Sequence, residues 1–123
     1  DYATIRVVPR IVRGEFVNVG VIVACPTQEF LGCRIAESLG RVSALDPSVD
    51  LGAVARHLET LREVCLGAAD GGPIAKMPAR ERFHWLTHPR STIVQTSPIH
   101  SGTTGDPASA LERLFSELVD APS

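Results

Sequence analysis

The stretch Gly14-Glu15-Phe16-Val17-Asn18-Val19-Gly20-Val21-Ile22-Val23-Ala24-Cys25 is the most hydrophobic continuous run in the chain. It is rich in β-branched residues, which favour extended backbone. Strict alternation puts Val17, Val19, Val21, Val23 and Cys25 on one face of a strand. Phe16, Asn18, Gly20, Ile22 and Ala24 then fall on the other. A strand apolar on both faces is covered on both faces, so this one is expected to run through the interior of a sheet.

Working outward, Tyr2 to Val8 also alternates. Ala3, Ile5 and Val7 face one way, and Pro9 stops the strand because it has no amide hydrogen for a ladder. The basic connection from Arg10 to Gly14 is too short for a crossover helix, so the two strands pair antiparallel. Pro26-Thr27-Gln28-Glu29 is a turn of hairpin length. Phe30 to Ala36 follows as a third strand, with Leu31, Cys33 and Ile35 inward and Arg34 outward. Leu39, Val42 and Leu45 suit a turn or two of helix before Pro47.

Asp50 is a good N-cap for a longer helix. Its stripe is Leu51, Val54, Leu58, Leu61 and Cys65, with Gly67 as a left-handed stop. Residues 68–78 hold four Gly or Pro residues and read as a loop. Ala79 to His88 forms a short helix burying Phe83, Leu86 and part of Trp85, ended by Pro89. Thr92 to His100 reads as a fourth strand, which Pro98 places at an edge or a bulge. Asp106-Pro107 opens a last helix with the stripe Leu111, Leu114, Phe115 and Leu118. The expected fold class is α+β: an antiparallel sheet of about four strands, a three-strand meander plus a later strand, with two main helices packed on one face. The 123 residues suit a single domain over 1–123.

Composition narrows the function classes. With 44% hydrophobic and 21% charged residues the chain is an ordinary globular sequence. A formal net charge of -2 gives no general field for nucleic acid. The apolar run at 16–25 is too short to cross a membrane, and no basic leader stands before it. The chain opens at Asp1 rather than Met, and a trimmed start is expected. Cys25, Cys33 and Cys65 form no Cys-x-x-Cys pair and read as reduced core thiols in a cytoplasmic protein.

Polar residues gather in two stretches, Arg10 to Asn18 and Arg80 to His100. If the fourth strand lies beside the meander, they share one end of the sheet. The candidate ligand- or partner-binding residues are Arg13, Glu15, Asn18, His84, Arg90, Ser91, Gln95 and His100. Asn18 on an interior strand either positions a ligand or, as buried amides usually do, bonds a neighbouring loop. The second role is the commoner. Arg80, Arg82 and Arg90 beside Ser91 and Thr92 suit a phosphate or carboxylate, since guanidinium matches such groups bidentately. The competing role is a solvated charged face. His84 and His88 share a helix face, but Trp85 stands where a zinc protease motif needs Glu, so no metal is expected. No phosphate loop or nucleophile elbow is present, and no cofactor or catalytic residue is expected.

The order of motifs adds to this. Tyr2…Arg6-Val7-Val8-Pro9, then Arg13-Gly14-Glu15-Phe16-Val17-Asn18-Val19-Gly20-Val21, then Phe83-His84-Trp85-Leu86 and Pro89-Arg90-Ser91-Thr92-Ile93-Val94-Gln95 resembles the bacterial family called domain of unknown function 3037. The resemblance runs over nearly the whole chain. It implies no activity and no catalytic residue. It implies at most a partner or accessory role, since members are often encoded beside a protein with a HipA-like kinase fold.

Three readings follow. The first is a non-catalytic binding or accessory module acting with such a partner. The second is a small enzyme or anion site built from Glu15, Asn18, His84, Arg90, Ser91, Gln95 and His100. There Arg90 clamps the anion and His84 or His100 serves as acid or base. It requires those groups to converge. The third is a nucleic-acid module using Arg10, Arg13, Arg82, Arg90 and Trp85. Pairing with another copy through an uncovered edge of the second or fourth strand is a further expectation.

Overall fold

The computed structural model describes residues 1–10, 12–67, 72–88, 92–103 and 105–120. Four antiparallel strands form one sheet: β1 (Tyr2–Val7), β2 (Val17–Cys25), β3 (Phe30–Ile35) and β4 (Val94–Thr96). Their order is β3-β2-β1-β4. The valine-rich strand is therefore interior, and β3 and β4 are the edges. The expected pairing edge on the second strand does not exist, because β1 and β3 occupy both its sides. Pro26–Gln28 makes one 3-10 turn between β2 and β3, closed by Glu29 in the left-handed region at φ 52°.

The helices are α1 (Gly40–Leu45), α2 (Leu51–Leu66), α3 (Gly72–Ala75), α4 (Ala79–Leu86) and α5 (Pro107–Leu118). The caps behave as their chemistry requires. The Asp50 carboxylate accepts from the Ala53 amide, and Gly67 ends α2 at φ 68°. The Asp106 carboxylate accepts from the amide and hydroxyl of Ser109, which holds it below the usual carboxylate range. Part of the expected 68–78 loop is the short helix α3; residues 68–71 lie outside the described residues.

Two features correct the simple alternation. First, Ile5 pairs with Gly20 but Arg6 pairs with Asn18, so Val19 is an extra residue in β2. This bulge re-aims everything before it. Val21 and Val23 pack with Leu111, Phe115 and Val119 of the α5 side. Val17 and Val19 instead join Ile22 and Ala24 in the core beneath α2 and α4. Second, the two long helices lie on opposite faces of the sheet, not on one. The reason is the apolarity of both β2 faces: one helix layer covers only one of them. Phe16 precedes the strand and is exposed rather than part of its buried face.

The α2 side holds the larger core. Val54, Leu58, Leu61, Val64 and Cys65 of α2 are buried there with Ile5, Val7 and Ile22 of the sheet and Phe83 and Leu86 of α4. Each such aliphatic side chain contributes about 1.5–3 kcal/mol on burial. The fourth strand is regular for only three residues. Ser97 still donates its amide to the Thr4 carbonyl, and its hydroxyl takes the Thr4 amide at 2.9 Å. Tyr2 then bridges to His100. From Thr4 to Tyr2 is two steps and from Ser97 to His100 three, so the chain is irregular at Pro98, which has no amide hydrogen to offer.

Candidate functional site

The β1–β2 connection is held down at one point. Arg10 Nε donates to Asp46 at 3.0 Å, joining the loop to the end of α1. Asp46 also accepts from the Ser48 hydroxyl at 2.6 Å and the Ser48 amide at 3.0 Å. These bonds from Ser48, with Arg10 after them, push the Asp46 carboxyl down to about 2. An unfolded Asp titrates at about 3.9. The folded value is the lower one, so the stabilisation is full above the unfolded value and fades as pH falls toward about 2. Asp46→Asn is accordingly expected to lower the melting temperature near neutral pH, and the gap to the parent protein should close between about pH 4 and pH 2. Melts of both proteins across that window check it; a gap independent of pH would contradict it.

Arg13 and Glu15 form an ion pair at 2.5 Å on the same loop. With Arg10, Leu45 and Asp46 they line a small cleft of about 200 Å³. Asn18 is elsewhere. Its amide nitrogen donates to the Leu118 carbonyl at 3.2 Å, so it docks the last turn of α5 on the sheet. It lines a larger cavity of about 580 Å³ between the end of β3, α1 and the end of α5. Arg41 lines the same cavity and donates to the Val119 carbonyl at 2.6 Å. Arg34, at its rim, pairs with Glu112 and lies over the Phe115 ring, 4.6 Å from its centroid.

The remaining candidates are dispersed. His84 is exposed on α4, where its ring centroid is 6.4 Å from that of His88. His100 stacks on Tyr2 at 5.2 Å, at the opposite end of β1 from the β1–β2 loop. Gln95 lies on β4, its amide nitrogen donating to the Thr92 carbonyl at 2.8 Å. Arg90 and Ser91 lie outside the described residues. Arg82 caps α2, donating to the carbonyls of Val64, Cys65 and Met77. The two polar stretches do meet in part: the Val8 amide donates to the Ile93 carbonyl, which brings the start of β4 beside the β1–β2 loop. The described members of the acid–base set do not converge.

One residue that the motif reading passed over stands at the junction. Arg6 is the only charged residue of β1. On the sheet face shared with α5 it is flanked in register by Asn18 on one side and Gln95 on the other. Phe16 lies 4.1 Å from its guanidinium carbon, ring centroid to Cζ. Burial holds the guanidinium below the usual arginine range. Only the strand order reveals this trio, because Asn18 and Gln95 are 12 and 89 residues from Arg6 in sequence.

Cys33 and Cys65 face each other between β3 and α2, both as free thiols. The contact with Cys65 holds Cys33 below the usual thiol range, while the same contact and burial push Cys65 up. Among the described residues no group of three His, Cys, Asp or Glu side chains is gathered to hold a metal ion. No helix among them is long and apolar enough to cross a membrane.

Comparison with curated proteins and with solved structures finds no match. A family model described as "Protein of unknown function (DUF3037)" matches residues 2–119. That span takes in every strand and helix among the described residues and all eight candidate residues, and the chain belongs to this family.

Proposed function

We propose that the chain, as a single α+β domain over 1–123, is a non-catalytic binding or accessory module that works in the bacterial cytoplasm by engaging a protein partner. The observation that carries this reading is the end of the molecule around the β1–β2 loop. Val12 is fully exposed there, at 101%, and Phe16 is exposed on the same loop; Leu45, in the cleft with Arg13, and Ile93, bonded to the Val8 backbone, are exposed as well. Single exposed apolar residues are ordinary, but several at one pinned loop form the kind of surface that protein partners cover. Arg10 and Arg13 are paired with Asp46 and Glu15, whereas Arg6, also at this end, has no carboxylate within ion-pair distance among the described residues. The fitting partner is a protein presenting an apolar patch with acidic residues, and a HipA-like kinase-fold protein is the first to test.

The dispersal of Glu15, Asn18, His84, Gln95 and His100 weighs for this reading over a small enzyme. The engagement of Arg10, Arg13 and Arg82 by protein groups weighs for it over nucleic-acid binding. The test is co-expression with the HipA-like neighbour and recovery of the complex by size. Val12→Ser together with Phe16→Ser is expected to weaken the complex by at least about 30-fold, the effect of losing an interface hot spot. No complex with the parent chain, or one indifferent to both substitutions, would overturn the proposal.

A further inference from the structure

Arg6 presents an unresolved balance of charge and hydrogen bonding. It is half-buried on an interior strand. Its Nε atom is shielded from water and has no hydrogen-bond partner. Among the described residues no carboxylate lies within ion-pair distance of it, whereas Arg10, Arg13 and Arg34 each have one. Buried charge is normally paired, because desolvation without a partner is costly. The Phe16 ring supplies a cation–π contact to the guanidinium, which is weaker than an anion.

The flanking amides complete the chemistry. Asn18 and Gln95 have each committed the side-chain nitrogen to a backbone carbonyl, Leu118 and Thr92 respectively. Each side-chain oxygen beside Arg6 keeps its acceptor capacity, and Asn18 Oδ1 is itself buried without a partner. The trio therefore offers one guanidinium, which wants an oxyanion, between two amide oxygens, which want N–H or O–H groups. We infer that Arg6, Asn18 and Gln95 form a binding site for a carboxylate that carries an adjacent N–H donor, the arrangement of an N-acylated amino acid and of a peptide chain's C-terminus. The guanidinium edge takes the carboxylate in bidentate fashion. Phe16 receives the apolar side chain beside it. The site shares Phe16 with the proposed partner surface but does not depend on that surface being used.

The full chain, labelled with nitrogen-15, is titrated with N-acetyl-leucine while the Arg6 Nε–Hε signal is followed. Acetate and N-acetyl-leucine amide are the controls, lacking the donor and the carboxylate in turn. The expected result is a saturable shift with N-acetyl-leucine, at least about tenfold weaker binding of either control, and about tenfold loss in Arg6→Gln, the size of one good charged hydrogen bond. Melting curves establish that Arg6→Gln is folded. A tetrapeptide with a free C-terminus that binds tighter than N-acetyl-leucine assigns the site to a chain end, and equal binding assigns it to the free acylated amino acid. An Arg6 signal that is unmoved in every arm, as a direct Arg6–Asn18 hydrogen bond would give, overturns the inference. So does unchanged affinity in folded Arg6→Gln.

Discussion

Gly20→Val is expected to destabilise the protein by about 3 kcal/mol, although valine is the residue a strand prefers. Strand propensity alone favours the change by at most about 1 kcal/mol. Relief from glycine's unfolded-state entropy adds about 0.4–1 kcal/mol in the same direction. Geometry opposes both. A Cβ at Gly20 would stand 2.9 Å from the Arg34 carbonyl oxygen, 3.1 Å from Ile5 Cδ1 and 3.3 Å from Ile35 Cγ1. The first is backbone of the neighbouring strand and cannot swing aside. Overpacking of this kind costs about 1–3 kcal/mol, and a branched side chain falls at or beyond the top of that range. Urea unfolding measures it: the midpoint should fall while the slope stays constant. Gly20→Ala should lie between the two proteins. A midpoint equal to or above that of the parent would mean that β3 can move away from β2.

Gly20 also marks where sequence legibility ends. Its role as a point of close approach is readable from a lone glycine in a valine-rich strand. The bulge beside it is not, because counting by twos assumes one residue opposite one, and nothing local announces that Val19 has no counterpart on β1. From Val21 to Ala24 the alternation holds on either face; before Val19 it inverts. Helix ends were far more legible. Asp50, Gly67, Asp106 and Pro107 act within their own turn, so their chemistry is local.

The candidate site divides along the same line. Arg13 and Glu15 pair across one intervening residue and are recognisable as a polar turn. Asn18 finds a carbonyl 100 residues away, and only the register brings Gln95 beside Arg6. Chain proximity groups His100 with His84, yet His100 stacks on Tyr2 while His84 rides on α4. Spacing along a helix or strand constrains near neighbours; which strands adjoin is decided by the whole apolar pattern. Arg6 carries no local signal because a single arginine on a strand has no motif, and its meaning lies in what stands on both sides of it.

Phe115→Ala should be the most damaging single truncation, at about 3–5 kcal/mol. Phe115 is 6% exposed and packs α5 onto Val21 and Val23. Its ring also carries the Arg34 guanidinium. With about 5–15 kcal/mol holding a domain of this size, the loss approaches a third or more of the total. The melting temperature should drop by about 10–20 °C. Leu61→Ala on the far side of the sheet should cost about 2–5 kcal/mol through the α2 core. The two residues belong to separate cores divided by the sheet, so the double variant should equal the sum of the singles within about 0.5 kcal/mol. If both helices instead shared one core, the second truncation would relax into the first cavity, and the double variant would cost clearly less than the sum. Amide exchange separates the cases further. Phe115→Ala should release α5 amides first while those of α2 stay protected, because the α5 layer can lift while the α2 core remains closed.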